Sequence, residues 1–215
     1  MNWQCKNPEL YNAEMSSVRR HLPDVTISLE QECVILDGLF PVHDAKASVL
    51  RHYLLKVAFP TNYPKWVPAV FMREPNIHFV ADRHIWTNGS ACLCLPHEIP
   101  KYLTDVIRFE PFLEKLLNPW LIGQAYYDEH QCWPWQERSH GKPGILEGFS
   151  ELLGIDNLEI VENFAKLLVR KNPAKGHELC PCGSGEKMRN CHVDLYRQCR
   201  EALPPPALQI YRNLF

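Results

Sequence analysis

Between Pro8 and His21 (PELYNAEMSSVRRH) apolar residues stand at Leu10, Met15 and Val18, near the 3.6-residue period of a helix, with polar residues between them. Past Pro23 the period shortens. Val25 to Leu29 and Glu32 to Leu36 read as strands, followed by Asp37-Gly38, a pair that favours a tight turn. Ser48 to Pro60 alternates and ends at a proline, and Val67 to Met72 is a further short strand. The expected opening is one helix and a four-stranded antiparallel meander. From Thr61 to His97 the chain is turn-rich, with Pro64, Pro68, Pro75, Pro96 and the turn Asn88-Gly89, and its aromatic content predicts an ordered, functional loop. Leu103 to Leu117, interrupted by Pro111, and Gly144 to Leu153 read as helices. Asn157 to Arg170 sets Leu158, Val161, Phe164, Leu167 and Leu168 on one face. After a linker at Pro173 to Gly176 the composition turns to cysteine, glycine and basic residues. Ala202 to Phe215, with prolines at 204 to 206, reads as an extended or docking tail. The fold class is α+β, in three parts: a first domain over 1–155, a helix and linker over 156–175, and a small cysteine-rich module with its tail over 176–215.

Charge adds little to this picture. A formal charge of -2 over 215 residues gives no long-range pull toward nucleic acid or an anionic membrane, and the basic cluster from Arg170 to Lys175 is modest. No direct nucleic-acid or membrane partner is expected. The N-terminus lacks the basic-then-apolar layout of a secretory signal, so a cytoplasmic location is expected. In that reducing setting the nine cysteines read as catalytic, metal-bound or buried thiols, and the odd count suits that reading.

The densest chemistry lies in Cys180-Pro-Cys182-Gly-Ser-Gly-Glu-Lys-Met-Arg-Asn-Cys191-His192, which groups three thiols and an imidazole within thirteen residues. A structural zinc ion takes four such ligands in a tetrahedron, and a segment this short buries too little core to fold without one. Cys180, Cys182, Cys191 and His192 are therefore the expected Zn2+ ligands, and Gly183 and Gly185 let the chain curl around the ion. This string resembles the SEC-C motif over about Glu178 to Val193, with all four ligand positions matched. The resemblance implies a recruitment or docking element. Gly183-Ser-Gly-Glu-Lys187 lacks the glycine spacing and preceding strand of a phosphate loop. Cys199, on an expected helix beyond the cluster, reads as a buried thiol.

Asn88-Gly-Ser-Ala-Cys92-Leu puts a thiol just after a tight turn, where partial exposure and nearby donors for an oxyanion are available. Taken alone, a cysteine before a leucine is more often a core residue than a nucleophile. The order of elements around it resembles the ubiquitin-conjugating (UBC) family over residues 8 to 125: an N-terminal helix, a four-strand meander, Tyr63-Pro64 with Pro68 after it, then a long loop carrying Asn88-Gly89-Ser90-Ala91-Cys92-Leu93, which parallels that family's Asn-Gly-x-Ile-Cys-Leu. The family's His-Pro-Asn tripeptide falls on Asp82, Arg83 and His84. His84 thus stands where the family has an asparagine that stabilises the oxyanion or orders the loop. A histidine can donate from a ring nitrogen or act as a base, and a plain loop histidine is the alternative.

The resemblance implies that Cys92 is the nucleophile of a thioester-forming transferase, with His84 in an oxyanion or base role and Asn88 ordering the loop. Cys94 reads as a packed thiol beside it and His97 as a solvent-facing loop histidine. Trp133, Trp135, Arg138 and His140, in a stretch that looks like the divergent bacterial members, read as packing beside the loop or as a docking face. The implied partners are a separate activating enzyme or protein thioester donor, and a ubiquitin-like protein or modified target protein. Bacterial members of the family occur in antiviral islands of the CBASS type, where the modified protein is a cGAS-like nucleotidyltransferase. A non-catalytic UBC-like adaptor and a thiol hydrolase remain as alternatives.

Overall fold

Helix α1 (Trp3–Lys6) leads into α2 (Pro8–His21), whose start is fixed by two local devices. The Asn7 side chain accepts from the Leu10 N–H at 3.0 Å, and Pro8 takes the first helical position, where no donor is needed. The computed structural model describes residues 2–44, 46, 48–75, 77, 81–86, 88–104 and 106–215; residues 76, 78–80 and 87 of the long loop lie outside the described residues. The architecture is mixed α+β. It divides into two compact units, Met1–Cys94 with Ile99–Gln136, and Leu95–Glu98 with Glu137–Phe215.

In the first unit β1 (Thr26–Glu30), β2 (Cys33–His43), β3 (Val49–Ala58) and β4 (Ala69–Met72) form one antiparallel sheet in the order β1-β2-β3-β4. The meander read from the sequence is present, with one correction. Asp37-Gly38 is not a turn: both residues lie inside β2, paired with Thr26, Lys56 and Leu55. The β1–β2 turn is Gln31-Glu32, with φ of 46° and 69°, the two positive values that a two-residue type I′ hairpin requires. Gly38 is needed for space instead, since a Cβ there would press on the backbone of Asp24 and Val25.

Alternate residues of the central strands, Val34, Leu36, Phe40 and Val42 of β2 and Tyr53, Leu55 and Val57 of β3, turn inward and are buried. Across them lies a helical rod made of α4 (Phe109–Phe112), a π-helical turn at Leu113–Leu117, and α5 (Asn118–His130). This also departs from the expected helix over 103–117. Proline fits only the first turn of a helix, so the rod begins at Phe109, two residues before Pro111. The π turn falls just before Pro119, which cannot donate to the preceding turn. A short helix, α3 (Ile99–Tyr102), lies upstream.

The second unit pairs α6 (Lys142–Leu153) with α7 (Leu158–Val169), capped by Asn157; α8 (Val193–Ala202) packs on both and α9 (Pro205–Arg212) on α7. The expected extended tail is therefore a helix. Its prolines occupy the N-cap and first turn, where a missing N–H costs nothing, and Tyr211 is fully buried. Cys199 is buried, as read from the sequence, and burial pushes its thiol pKa up. Among the described residues no helix is long and apolar enough to cross a membrane.

One buried carboxylate ties the first unit together. Glu14 of α2, 1 % exposed, accepts from the Tyr63 hydroxyl at 3.0 Å and the Phe109 N–H at 2.7 Å, and pairs with the Arg108 guanidinium. Burial and the neighbouring Glu14 charge push the Tyr63 hydroxyl far above its ordinary pKa, so it stays a donor. Glu14→Ala leaves buried donors unpaired and should cost about 3 kcal/mol of unfolding free energy. Urea denaturation followed by circular dichroism measures this, and a loss within error of zero would contradict the assignment.

Candidate functional site

The segment that carries Cys92 is a small hairpin laid on the free edge of β4. Asn88 Oδ1 accepts from the Ser90 N–H at 3.0 Å and the Ser90 hydroxyl at 2.7 Å, and Gly89 takes φ 83°, a value that favours glycine. On one side the returning strand pairs with β4, through Met72 N–H to Gly89 O at 3.2 Å and Ala91 N–H to Val70 O at 2.8 Å. On the other, Trp86 N–H donates to Ser90 O at 2.8 Å and Cys92 N–H to His84 O at 2.8 Å, with Ile85 opposite Ala91. This covers an edge that would otherwise offer unpaired backbone groups, and it fixes the backbone of Cys92 from two directions. The Cys92 thiol is half-buried, as is that of Cys94, which packs against the core.

The outer strand of this hairpin is bound to one face of α5. The His84 carbonyl also accepts from Trp120 Nε1 at 3.2 Å, and the Arg83 carbonyl from Gln124 Nε2 at 2.5 Å. The Arg83 guanidinium pairs with Asp128, donates to Gln124 Oε1 at 3.2 Å and lies 4.6 Å over the Tyr127 ring. Asp128 also accepts from the Tyr53 hydroxyl at 2.6 Å and pairs with Arg51 at 2.7 Å. Burial alone raises the Asp128 pKa, but the hydrogen bonds from Tyr53 and Arg83 and the charges of Arg83 and Arg51 outweigh it, leaving the carboxyl below its ordinary value. Held so, His84 adopts φ 51°, a left-handed backbone uncommon outside glycine. Its ring lies 4.5 Å from that of Trp133, and Trp133 meets Trp135 edge-on at 5.8 Å, with Trp135 half-exposed.

His97 is placed otherwise than the sequence suggests. It is buried in the second unit, with Nδ1 2.6 Å from the Tyr211 hydroxyl and its ring stacked 5.3 Å from Phe149. The reason is Gly148 of α6, whose missing side chain leaves the space that Leu95 and His97 fill. In the same unit Arg138 holds Glu98 by two hydrogen bonds, at 3.0 and 3.1 Å, and Glu151 by two more, at 2.6 and 3.0 Å. His140 lies 3.5 Å from Glu137. Arg138 therefore does structural work within the second unit.

Cys180, Cys182, Cys191 and His192 converge in that unit, their ligand atoms all within 4.8 Å of one another. Cys182 Sγ is 3.5 Å from Cys191 Sγ, and His192 Nδ1 is 3.3 Å from Cys180 Sγ and 2.9 Å from Cys191 Sγ. The backbone is drawn in by Cys180 N–H to Glu186 O at 2.8 Å and by positive φ at Gly183 and Gly185, 82° and 77°. Burial pushes the Cys180 thiol up, while the hydroxyl and backbone N–H of Ser184 draw the Cys182 thiol down, which readies it as a thiolate ligand. The four can bind a metal ion. The His192 ring packs edge-on to Phe164 of α7 at 5.7 Å, so the cluster is continuous with the helical core.

Sequence reading missed the residues that position the hairpin, although the signal exists: Trp120, Gln124 and Asp128 recur every fourth position and so share one face of α5. For the metal cluster, elemental analysis should return one thiophilic ion per chain. Cys182→Ser and His192→Ala should each weaken its retention by at least about tenfold against a chelator competitor, and undiminished retention in both would remove the cluster as the site. The chain matches no protein-family profile, no curated protein and no solved structure in the three comparisons made.

Proposed function

We propose that this chain is an acyl carrier of the ubiquitin-conjugating type, in which Cys92 takes the C-terminal acyl group of a ubiquitin-like or other protein and passes it to an amine. The observation that carries this reading is the setting of Cys92. A half-buried thiol ends a hairpin that is pinned on one side to the free edge of a helix-led antiparallel meander and on the other to the following helix, directly after an Asn-Gly turn. Helix, meander and Cys92 hairpin follow one another as the UBC resemblance implies, while Tyr63-Pro64 falls between β3 and β4 and not after the meander.

The chemistry asks for orientation and an activated thiol. The Cys92 thiolate attacks the carbonyl of a donor thioester; the C–S bond to the donor breaks and the donor leaves as a thiolate. An amine then attacks the new thioester, the C–N bond forms, Cys92 leaves as a thiolate and the amine gives up a proton. Because one thioester replaces another, the first step is nearly thermoneutral, and positioning supplies most of the rate. The hydrogen bond from Cys92 N–H to His84 O fixes the thiol's backbone through the exchange, and the Asn88–Ser90 bonds keep the approach to it in one conformation. His84 serves as proton acceptor for the thiol or as donor to the oxyanion. The donor is a separate activating enzyme or another protein thioester, and the carried protein is a ubiquitin-like protein or a cGAS-like nucleotidyltransferase of antiviral islands.

The metal cluster belongs to the same reading as a SEC-C-type zinc module. Three sulfurs and one imidazole nitrogen are the donor set of a closed structural zinc site, with no position left for a reactant. Cys180, Cys182, Cys191 and His192 would hold the ion, which supplies fold stability and no step of the transfer.

Co-expression with neighbouring genes, followed by non-reducing mass spectrometry, tests the carrier reading. The expected result is a thiol-labile protein adduct that is lost in Cys92→Ala and kept in Cys94→Ala. Cys92→Ser should trap a thiol-stable ester. An adduct that survives Cys92→Ala would reject Cys92 as the carrier thiol, and none with any neighbouring protein would leave a binding-only role in its place.

A further inference from the structure

We infer that Trp133 is a positioning residue for the His84 imidazole at Cys92, and that Gly123 on α5 is the seat that lets it act. The inference rests on the reading of Cys92 as a nucleophile, and it adds a residue that the UBC resemblance does not supply.

The hairpin register sets His84 against Cys92. Ile85 stands opposite Ala91, Trp86 N–H meets Ser90 O and Cys92 N–H meets His84 O, so residues 84 and 92 are opposed. The backbone hydrogen bond makes His84 and Cys92 direct neighbours across the hairpin, so a rotation of the His84 side chain brings its imidazole within reach of the thiol.

The His84 backbone is held at φ 51° by donors at its own carbonyl, from Cys92 and Trp120, and at the preceding one, from Gln124. What remains is the direction of the ring about its side-chain torsions. That is where Trp133 enters, 4.5 Å from the imidazole and inclined at 45°.

The placement of Trp133 has its own cause in the sequence. α5 stops at Gln131, which takes the left-handed conformation at φ 57° and turns the chain back. Trp133 then returns along the helix and lies on Gly123, where any Cβ would overlap its six-membered ring. A buried glycine inside a helix costs about 1 kcal/mol relative to alanine. Here the lost side chain is replaced by the indole. Trp135 meets Trp133 edge-on at 5.8 Å.

The chemical consequence concerns the protonated ring. When the Cys92 thiol loses its proton, the proton passes to a nitrogen of His84 and the pair becomes thiolate and imidazolium with no change in total charge. An indole within about 6 Å of a cation favours it through the ring quadrupole. Trp133 thus fixes the ring and favours the charged partner that Cys92 requires.

The test is the rate of Cys92 alkylation by iodoacetamide in the full chain, followed across pH by mass spectrometry of the Cys92 peptide. Wild type should keep appreciable reactivity near about pH 6.5, the range of an imidazole, and His84→Gln should remove that portion. Trp133→Ala empties the contact and Gly123→Ala fills its seat. Both should lower the rate there about tenfold while leaving the high-pH limit within about twofold, and neither should add to His84→Gln. Trp133→Phe, which keeps a ring in place, should restore most of the profile and guards against loss of fold. An unchanged profile in Trp133→Ala and Gly123→Ala, a loss that is equal at all pH values and persists with His84→Gln, or no effect of His84→Gln itself would overturn the inference. Because the assay needs no acyl donor, a shifted profile without any Cys92 adduct would uphold the positioning role and reject the carrier.

Discussion

A carboxylate sealed from water sets the frame of the first unit. Glu14 binds the hydroxyl of Tyr63, the N–H of Phe109 and the guanidinium of Arg108, so one side chain of α2 fixes both the loop between β3 and β4 and the first turn of the long helical rod. A buried charge tolerates few geometries, because each unsatisfied oxygen is costly. Once the rod's origin is fixed, its phase follows, and with it the face that carries Trp120, Gln124 and Asp128. Those three hold residues 83 and 84, which in turn receive the N–H of Cys92. The position of a half-buried thiol is thereby traced to a buried carboxylate on α2.

Much of this is legible in the sequence, and the boundary follows the range of the interactions. Local signals are readable: the apolar spacing of α2, the apolar stripe of α7, the alternation of β3 and the Asn-Gly turn each act within a few residues. The four side chains that can bind a metal ion also lie close in sequence, so spacing alone suffices to group them. Where a residue's meaning depends on a distant neighbour, the sequence misleads. Asp37-Gly38 has the composition of a turn, yet Gly38 exists to admit the backbone of residues 24 and 25. His97 has the surroundings of a loop histidine, yet a glycine fifty-one positions later in the chain gives it a buried place. The prolines near the end look like an extended tail, yet they sit at the one place in a helix that accepts them.

The two chemical features differ in how the chain builds them. The metal cluster is assembled from thirteen consecutive residues, with glycines for the bends, and needs from the rest of the unit only a wall such as Phe164. The Cys92 hairpin gathers support from β4, α5 and the segment after α5, elements that lie between residues 69 and 133. The first is local in sequence. The second makes sense only within its sheet.

Residues 95–98 give the chain an unusual connectivity. Cys94 and Ile99 belong to one unit while the four residues between them belong to the other, and a further passage joins the units at 136–137. Three covalent crossings, rather than one linker, therefore run between them. Cutting the chain after residue 136 would not liberate a self-contained first half: it would strip Glu98 of Arg138 and His97 of Tyr211, and leave a strip shaped to fit α6 hanging from the loop that holds Cys92. In genetic terms the second half cannot be traded as a cassette, because four of its residues are encoded inside the first.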